Sequence, residues 1–352
     1  MKGIILHGGH GTRLRPLTHT GPKQLLPIAN KPMSQYCLES LLEAGITEIC
    51  IIIGGIGTDK VKEHYGDGQR FGAKITYIEQ DYPRGIAHAI GLCRNFVKNE
   101  KFVVFLGDNI IQKSIKDFVK EFVKSDADAS ILLCKVDNPS RFGIAEIKDG
   151  KISKIVEKPK NPTSDLAVTG IYLLTPTIFE IIDRLKPSWR NELEITDALD
   201  VLVQKKYKIT YHMITDYWKD TGTPEDIIHA NNAVLEKLQP YFYGTKESGV
   251  TLEGNLMISE GTVIKSGVTL RGPIIIGKNC TIEGGSDIGP NVSIGDDSKI
   301  KATISDSIVM AGCHIDCNVP IKNSIIAFNS EIVSNDGEAK IFLLGEGTKI
   351  SL

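Results

Sequence analysis

From Leu252 onward a branched or aliphatic residue returns at every sixth position, at Ile258, Ile264, Leu270, Ile276, Ile282, Ile288, Ile294 and Ile300. Two positions earlier the chain is small or branched, as at Val250, Thr262, Val268, Cys280, Ser286, Val292 and Ser298. A six-residue period of this kind marks a parallel β-helix, in which each short strand contributes one inward side chain and stacked coils bury a continuous core. After Ile300 the register jumps by three to Val309, Ile315 and Ile321, then slips to Ile326 and Ile332. Short loops or changed corners are expected there, and the end of the chain, from Ile341-Phe342-Leu343-Leu344 to Leu352, is expected to cap the open edge.

The chain ahead of the repeats reads differently. Apolar strands are expected over 3–6, 48–53, 75–78, 102–106 and 130–136, with helices near 34–44, 59–65, 86–96 and 115–125 between them. Such alternation predicts an α/β fold with a doubly wound, mostly parallel sheet. Gly45 fits the position just past the first helix, and Ser114 can cap the start of the fourth. From Gly143 to Leu174 strands follow one another without long helices, so an antiparallel excursion is expected; helices return at 177–185, 195–204 and 224–238. Pro240 through Gly249 forms a Pro- and Gly-punctuated connector. Two domains are therefore expected, 1–240 and 241–352.

Gly8, Gly9 and Gly11 come directly after the first strand, followed by Arg13, Arg15 and Lys23. Open α/β sheets place ligands at the carboxyl ends of their strands. There, glycines let the backbone approach phosphate oxygens, and the cations balance a polyphosphate. The spacing is neither a Walker A loop, which would end in Gly-Lys-Ser or Gly-Lys-Thr, nor a dinucleotide fingerprint, whose third glycine is missing. Asp108 follows a second apolar strand and Gly107, so it belongs at a strand's carboxyl end beside the glycine loop, where either a metal-binding or a turn-capping role is open.

Composition narrows the class. A net charge of −2 leaves no basic stripe for general nucleic-acid binding. No apolar run reaches membrane-spanning length and the first residues lead into a strand, so a cytoplasmic protein with no membrane partner is expected. Seven scattered cysteines include no Cys-x-x-Cys pair. Cys313, His314 and Cys317 resemble a ligand cluster but lack a fourth ligand, and the cysteines are read as small buried residues.

The motif running from Gly8-Gly9-His10-Gly11-Thr12-Arg13-Leu14 through Pro22-Lys23-Gln24-Leu25-Leu26-Pro27 resembles the sugar-1-phosphate nucleotidyltransferases, and most of all their glucose-1-phosphate thymidylyltransferase branch in its long form. The resemblance continues through Gly85-Ile86-Ala87-His88-Ala89, Leu106-Gly107-Asp108-Asn109, Glu157-Lys158-Pro159, Val168-Thr169-Gly170, Glu192 to Asp197 and Trp218 to Thr223, and covers the first two-thirds of the chain. It departs at His7, Phe142 and Lys219, where that family has a small alanine, a tyrosine and an often apolar residue. Similarity to hexapeptide-repeat proteins implies that the coil is left-handed and triangular, with a structural or homo-oligomer-forming role.

The resemblance implies condensation of dTTP with glucose 1-phosphate to dTDP-glucose and pyrophosphate. It assigns Mg²⁺ to Asp108 and Asp220, the triphosphate to Arg13, both substrates' phosphates to Lys23, and the sugar phosphate to Lys158. Leu6, Gly8, Gly9, Gly11, Thr12, Arg13, Gln24, Gln80 and Gly85 are implied to line the nucleotide site. Gly143, Glu157, Val168 and Thr169 join Lys23 and Lys158 at the sugar phosphate. Gln80 offers both donor and acceptor to a pyrimidine edge, which leaves thymine and uracil both open. A uridylyltransferase, or a bifunctional enzyme whose coil transfers acetyl groups, stands beside this reading. The reaction needs no general acid or base, so His7 and His88 are read as structural or orienting.

Overall fold

The computed structural model describes residues 1–9, 11–334 and 343–351. These divide into two compact units, one made of Met1–His10 and Ser34–Asp220, the other of Gly11–Met33 and Thr221–Leu352.

The first unit is built on strands β1 (Lys2–Leu6), β2 (Glu48–Ile53), β3 (Lys74–Glu79), β4 (Phe102–Leu106), β5 (Asn109–Ile111), β6 (Ala129–Lys135), β7 (Gly143–Lys148), β8 (Lys151–Glu157), β9 (Leu166–Leu174), β10 (Ile209–Met213) and β11 (Trp218–Asp220). The main sheet runs β8-β7-β9-β4-β1-β2-β3, with β6 paired to β9 and β10. Strands β3, β2, β1 and β4 are mutually parallel. Strand β9 runs against β4, β6 and β7. The sheet is thus α/β and mostly parallel at its centre, with the expected antiparallel excursion after residue 143.

Its central strands are continuous apolar runs because both faces are covered. Ile4, Ile5 and Phe102 to Phe105 have no exposed surface. On one face Ile4, Leu6, Ile52 and Val104 pack with Ala87, Ile90, Phe179, Ile182, Ala198 and Leu199 from the helices Ile86–Leu92, Thr177–Ile182 and Ile195–Gln204. Burying each of the Ile, Leu, Val and Phe side chains among them contributes about 1.5–3 kcal/mol. The helix expected at 86–96 breaks at Cys93 into Ile86–Leu92 and Arg94–Val97. Ser114 Oγ accepts from the Lys116 amide at 3.3 Å, at the start of the helix Lys116–Lys124.

In the second unit the segment after the glycine loop forms two 3-10 turns, Thr12–Leu14 and Lys23–Leu25, and a hairpin whose tip residues Ala29 and Asn30 both have positive φ. Asn231, on the helix Pro224–Leu235, accepts from the Ala29 amide at 2.9 Å and from Ser293 Oγ at 2.7 Å. Asn30 Nδ2 donates to the Ile294 carbonyl. One buried amide therefore ties hairpin, helix and C-terminal strands together.

The C-terminal strands pair in parallel. Ile258 lies opposite Ile276 and Ile276 opposite Ile294, a step of eighteen residues or three six-residue repeats. Ile258, Ile264, Leu270, Ile276, Ile282, Ile288, Ile294 and Ile300 are fully buried. The small residues two positions earlier are buried as well, and their hydroxyls satisfy backbone at the corners. Thr262 Oγ1 donates to the Gly277 carbonyl at 2.7 Å and accepts from the Cys280 amide at 3.0 Å.

The register change after Ile300 has a local cause. The strand Lys299–Ser305 continues through a corner with Ile300, Ala302 and Ile304 inward, so Ile294 meets Val309 after only fifteen residues. Cys313 and Cys317 face inward and His314 outward, as strand alternation dictates, so the three do not converge. The expected cap at 341–352 lies partly outside the described residues; Leu343–Leu344 pairs with Ile325–Ile326, and Lys349–Ser351 with Glu331 to Val333.

Candidate active site

Strand order reverses between β1 and β4, since β2 and β3 continue from one side of β1 and β4 lies on the other. Such a switch point opens a crevice at the strands' carboxyl ends. Leu6, Gly8 and Gly9 follow β1 there, and Gly107 and Asp108 follow β4. The Gly107 amide donates to the Leu6 carbonyl at 3.0 Å, holding the two strand ends level. Gly9 has φ 98°, a conformation that favours glycine.

Asp220 reaches this place by strand pairing. Strand β11 runs antiparallel to β5, with Asp220 opposite Asn109, the neighbour of Asp108. Asn109 Nδ2 donates to Asp108 Oδ1 at 3.0 Å, and Asn109 Oδ1 accepts from Trp218 Nε1 at 2.7 Å. Phe142 packs edge-on against Trp218. Gly170 is confined by the same group, because a Cβ there would lie 2.6 Å from Leu106 Cγ and 2.8 Å from Asn109 Nδ2.

Two half-buried carboxylates on neighbouring backbone fit a divalent cation of the hard, oxygen-preferring kind. Among the described residues no group of three or more His, Cys, Asp and Glu side chains could hold a metal. A site of this composition suits Mg²⁺, which takes one or two carboxylates and completes its shell with phosphates and water.

The remaining loop residues belong to the second unit. Gly11 has φ 56°, and its carbonyl accepts from Thr18 Oγ1 at 2.8 Å. Thr12 and Arg13 are exposed on the following turn. Gly222 leaves room for Arg13, whose Nη1 would stand 3.4 Å from a Cβ at that position. Lys23 is half-buried, whereas Gln24 is 1% exposed.

Gln80 follows β3 and is buried. Its Nε2 lies 2.8 Å from His88 Nδ1 and 3.5 Å from the Gly85 carbonyl, while its Oε1 faces Gly8. Gly85 has φ 100° and packs so closely on Leu193 that a Cβ would lie 2.4 Å from that carbonyl. Burial, with the Arg84 charge nearby, holds His88 below the usual histidine range.

Glu157 is the centre of the residues expected at the sugar phosphate. Its Oε2 accepts from Thr196 Oγ1 at 3.0 Å and would lie 3.2 Å from a Cβ on Gly143. Its Oε1 is 3.4 Å from Lys158 Nζ and 3.5 Å from Arg190 Nη1. Lys158 has φ 42° at the strand end. Val168 and Thr169 sit where the pairing of β9 with β6 is interrupted, a device common beside active sites. Thr169 is fully buried and its hydroxyl donates to Leu132 O, so any contact from it runs through backbone.

Arg190 is absent from the residues the sequence singled out. It joins Glu157 to Glu192 at 3.0 Å and Glu194 at 3.3 Å. Burial and the Glu157 charge push the carboxyls of Glu194 and Asp197 above their usual range. Arg190, with Lys158 beside Glu157, supplies positive charge that offsets this acidic group. The only available signal was its place just before the Glu192 to Asp197 motif.

His7 is 1% exposed and neither ring nitrogen has a hydrogen-bond partner among the described residues. Burial holds it neutral down to about pH 3, although the Asp108 charge works in the opposite direction. It packs edge-on against Tyr65. A neutral, buried His7 agrees with a structural or orienting role rather than proton transfer.

A family profile described as nucleotidyl transferase matches residues 2–237, and one described as the GMPPB C-terminal domain matches residues 270–351. The chain is 45% identical to the low-salt glycan biosynthesis nucleotidyltransferase Agl11 of Haloferax volcanii, with 100% of both chains covered. It is 40% identical to a glucose-1-phosphate thymidylyltransferase of Streptomyces antibioticus, over 100% of this chain and 99% of that one. A solved structure described as a glucose-1-phosphate thymidylyltransferase from Bacillus anthracis, in complex with sucrose, superposes with a TM-score of 0.64 at 44% identity, over 69% of this chain and 98% of that one. With the profile spanning residues 2–237 and full-length relatives in agreement, the chain belongs to the nucleotidyl transferase family, as a sugar-1-phosphate nucleotidyltransferase.

Proposed function

We propose that this enzyme condenses dTTP with glucose 1-phosphate, releasing pyrophosphate and forming dTDP-glucose. A sugar-phosphate oxygen attacks the α-phosphorus in line, a new P–O bond forms, and the bond from that phosphorus to the bridging oxygen breaks as pyrophosphate leaves. The observation that carries the reading is the β5–β11 ladder, which sets Asp220 opposite Asn109 and so beside Asp108.

Asp108 and Asp220 would hold Mg²⁺, which when bound neutralises phosphate charge. Arg13 contacts the β- and γ-phosphates and stabilises the departing pyrophosphate. Lys23 spans the phosphates of both substrates, and Lys158 grips the sugar phosphate. Glu157 accepts from sugar hydroxyls, with Gly143 and the backbone at Val168 and Thr169 completing that wall. Gly8, Gly9, Gly11 and Thr12 lie along the nucleotide, with Leu6 and Gln24 behind them, and Gln80 and Gly85 read the base. We read 1–240 as the catalytic domain and 241–352 as a left-handed β-helix with a structural or oligomer-forming role.

The test is pyrophosphate release from glucose 1-phosphate with dTTP, UTP, ATP or GTP. Preference for dTTP supports the full reading, and preference for UTP makes the enzyme a uridylyltransferase of the same mechanism. Preference for a purine would overturn the pyrimidine assignment.

A further inference from the structure

We infer that His88 sets the orientation of the Gln80 side-chain amide and thereby selects pyrimidines that carry a proton on N3. This rests on the reading of Gln80 as the base reader. One end of that amide lies 2.8 Å from His88 Nδ1 and 3.5 Å from the Gly85 carbonyl oxygen. A carbonyl only accepts, so the end facing it must be the NH₂ group. His88 Nδ1 then has to accept as well, which requires the neutral ring with its proton on Nε2.

Both amide hydrogens are consequently directed at protein. The opposite end, Oε1, faces the glycine loop, where a Cβ on Gly8 would come within 3.5 Å. Gly8 leaves that oxygen open. An amide presenting only an acceptor matches the N3–H of thymine or uracil and meets the N3 lone pair of cytosine with repulsion. The flip that would accommodate cytosine turns an oxygen toward the Gly85 carbonyl and the His88 lone pair together. Neither residue blocks the flip by bulk: the Gly85 carbonyl opposes it by polarity outright, and His88 opposes it as long as its proton stays on Nε2.

The experiment compares kcat/KM for dTTP, UTP and CTP, with glucose 1-phosphate saturating, in wild type, His88→Leu, His88→Asn and Gln80→Leu. Wild type is expected to favour dTTP or UTP strongly. His88→Leu removes the acceptor and should shrink the preference over CTP by roughly tenfold or more. His88→Asn, whose Oδ1 can occupy the place of Nδ1, should restore most of it; a merely structural role would not follow that order. Should His88→Leu fold poorly, His88→Ser is read in its place.

If His88→Leu and His88→Ser keep the wild-type ratio while Gln80→Leu loses it, the inference about His88 is overturned and the reading of Gln80 stands. If Gln80→Leu also keeps the ratio, the base-reading role of Gln80 fails, and with it the inference.

Discussion

Asp220 stands directly opposite Asn109 in a short antiparallel ladder, and Asn109 hydrogen-bonds the carboxylate of Asp108, its neighbour in sequence. Two acidic side chains far apart in the chain are in this way fixed by backbone pairing, with one amide side chain bridging Asp108 to Trp218. Backbone pairing rather than a flexible loop brings Asp220 to the residue next to Asp108, a form of preorganisation that a nucleotidyl-transfer site can use.

Replacing Asn109 by Leu keeps its bulk but leaves Trp218 Nε1 without its acceptor and Asp108 without its anchor. We expect kcat to fall about 10- to 100-fold, since the carboxylate proposed to hold Mg²⁺ is no longer kept in one orientation. The half-buried indole donor left unpaired should cost on the order of 1 kcal/mol. Steady-state pyrophosphate release and urea denaturation measure the two effects separately.

Gly170→Ala tests the same region through packing. The added methyl collides with Leu106 Cγ and Asn109 Nδ2, and overpacking of this kind costs about 1–3 kcal/mol. Activity should fall together with stability. A variant as stable and active as wild type would show that the Leu106–Asn109 contact can yield freely.

Arg190→Ala would leave Glu157, Glu192 and Glu194 facing one another. The expected result is a rise in KM for glucose 1-phosphate on the order of tenfold or more, with partial recovery in Arg190→Lys, whose single ammonium cannot reproduce the forked contacts. Kinetics with glucose 1-phosphate varied at fixed dTTP supply the check.

His7 predicts a pH dependence of stability. The folded protein keeps this ring neutral down to about pH 3, whereas an unfolded chain protonates it near the ordinary 6.5. Between those values the unfolded state binds more protons, so this group's contribution to stability is full above 6.5 and declines as pH falls, by up to about 1.4 kcal/mol per pH unit. Unfolding free energies of wild type and His7→Ala at pH 7 and pH 5 should converge at the lower pH. Parallel pH profiles for the two proteins would contradict this.

Much of the fold was legible because burial on both sides of a parallel sheet writes itself as unbroken apolar runs, and a repeating coil writes itself as a period. Leu6, Gly8, Gly9 and Asp108 could be placed by that logic alone. Asp220 could not. Strands β5 and β11 are three residues each, too short to carry a periodic signal, and their pairing is a tertiary event. The strand through the corner at residues 299–305 carries no Gly or Pro to mark it, and the break at Cys93 is announced only by Gly91, two residues earlier inside an otherwise helical pattern. Arg190 lies in a loop where an arginine has no pattern to stand out from, and only its carboxylate neighbours in space reveal it.

The most direct measurement is pyrophosphate release from dTTP and glucose 1-phosphate by wild type, Asp108→Asn and Asp220→Asn across a range of Mg²⁺ concentrations. Strict Mg²⁺ dependence in wild type, with activity in each variant lowered at least about 100-fold and both proteins still folded, is the predicted result. Wild-type turnover in either variant at low Mg²⁺ would contradict the paired-carboxylate site.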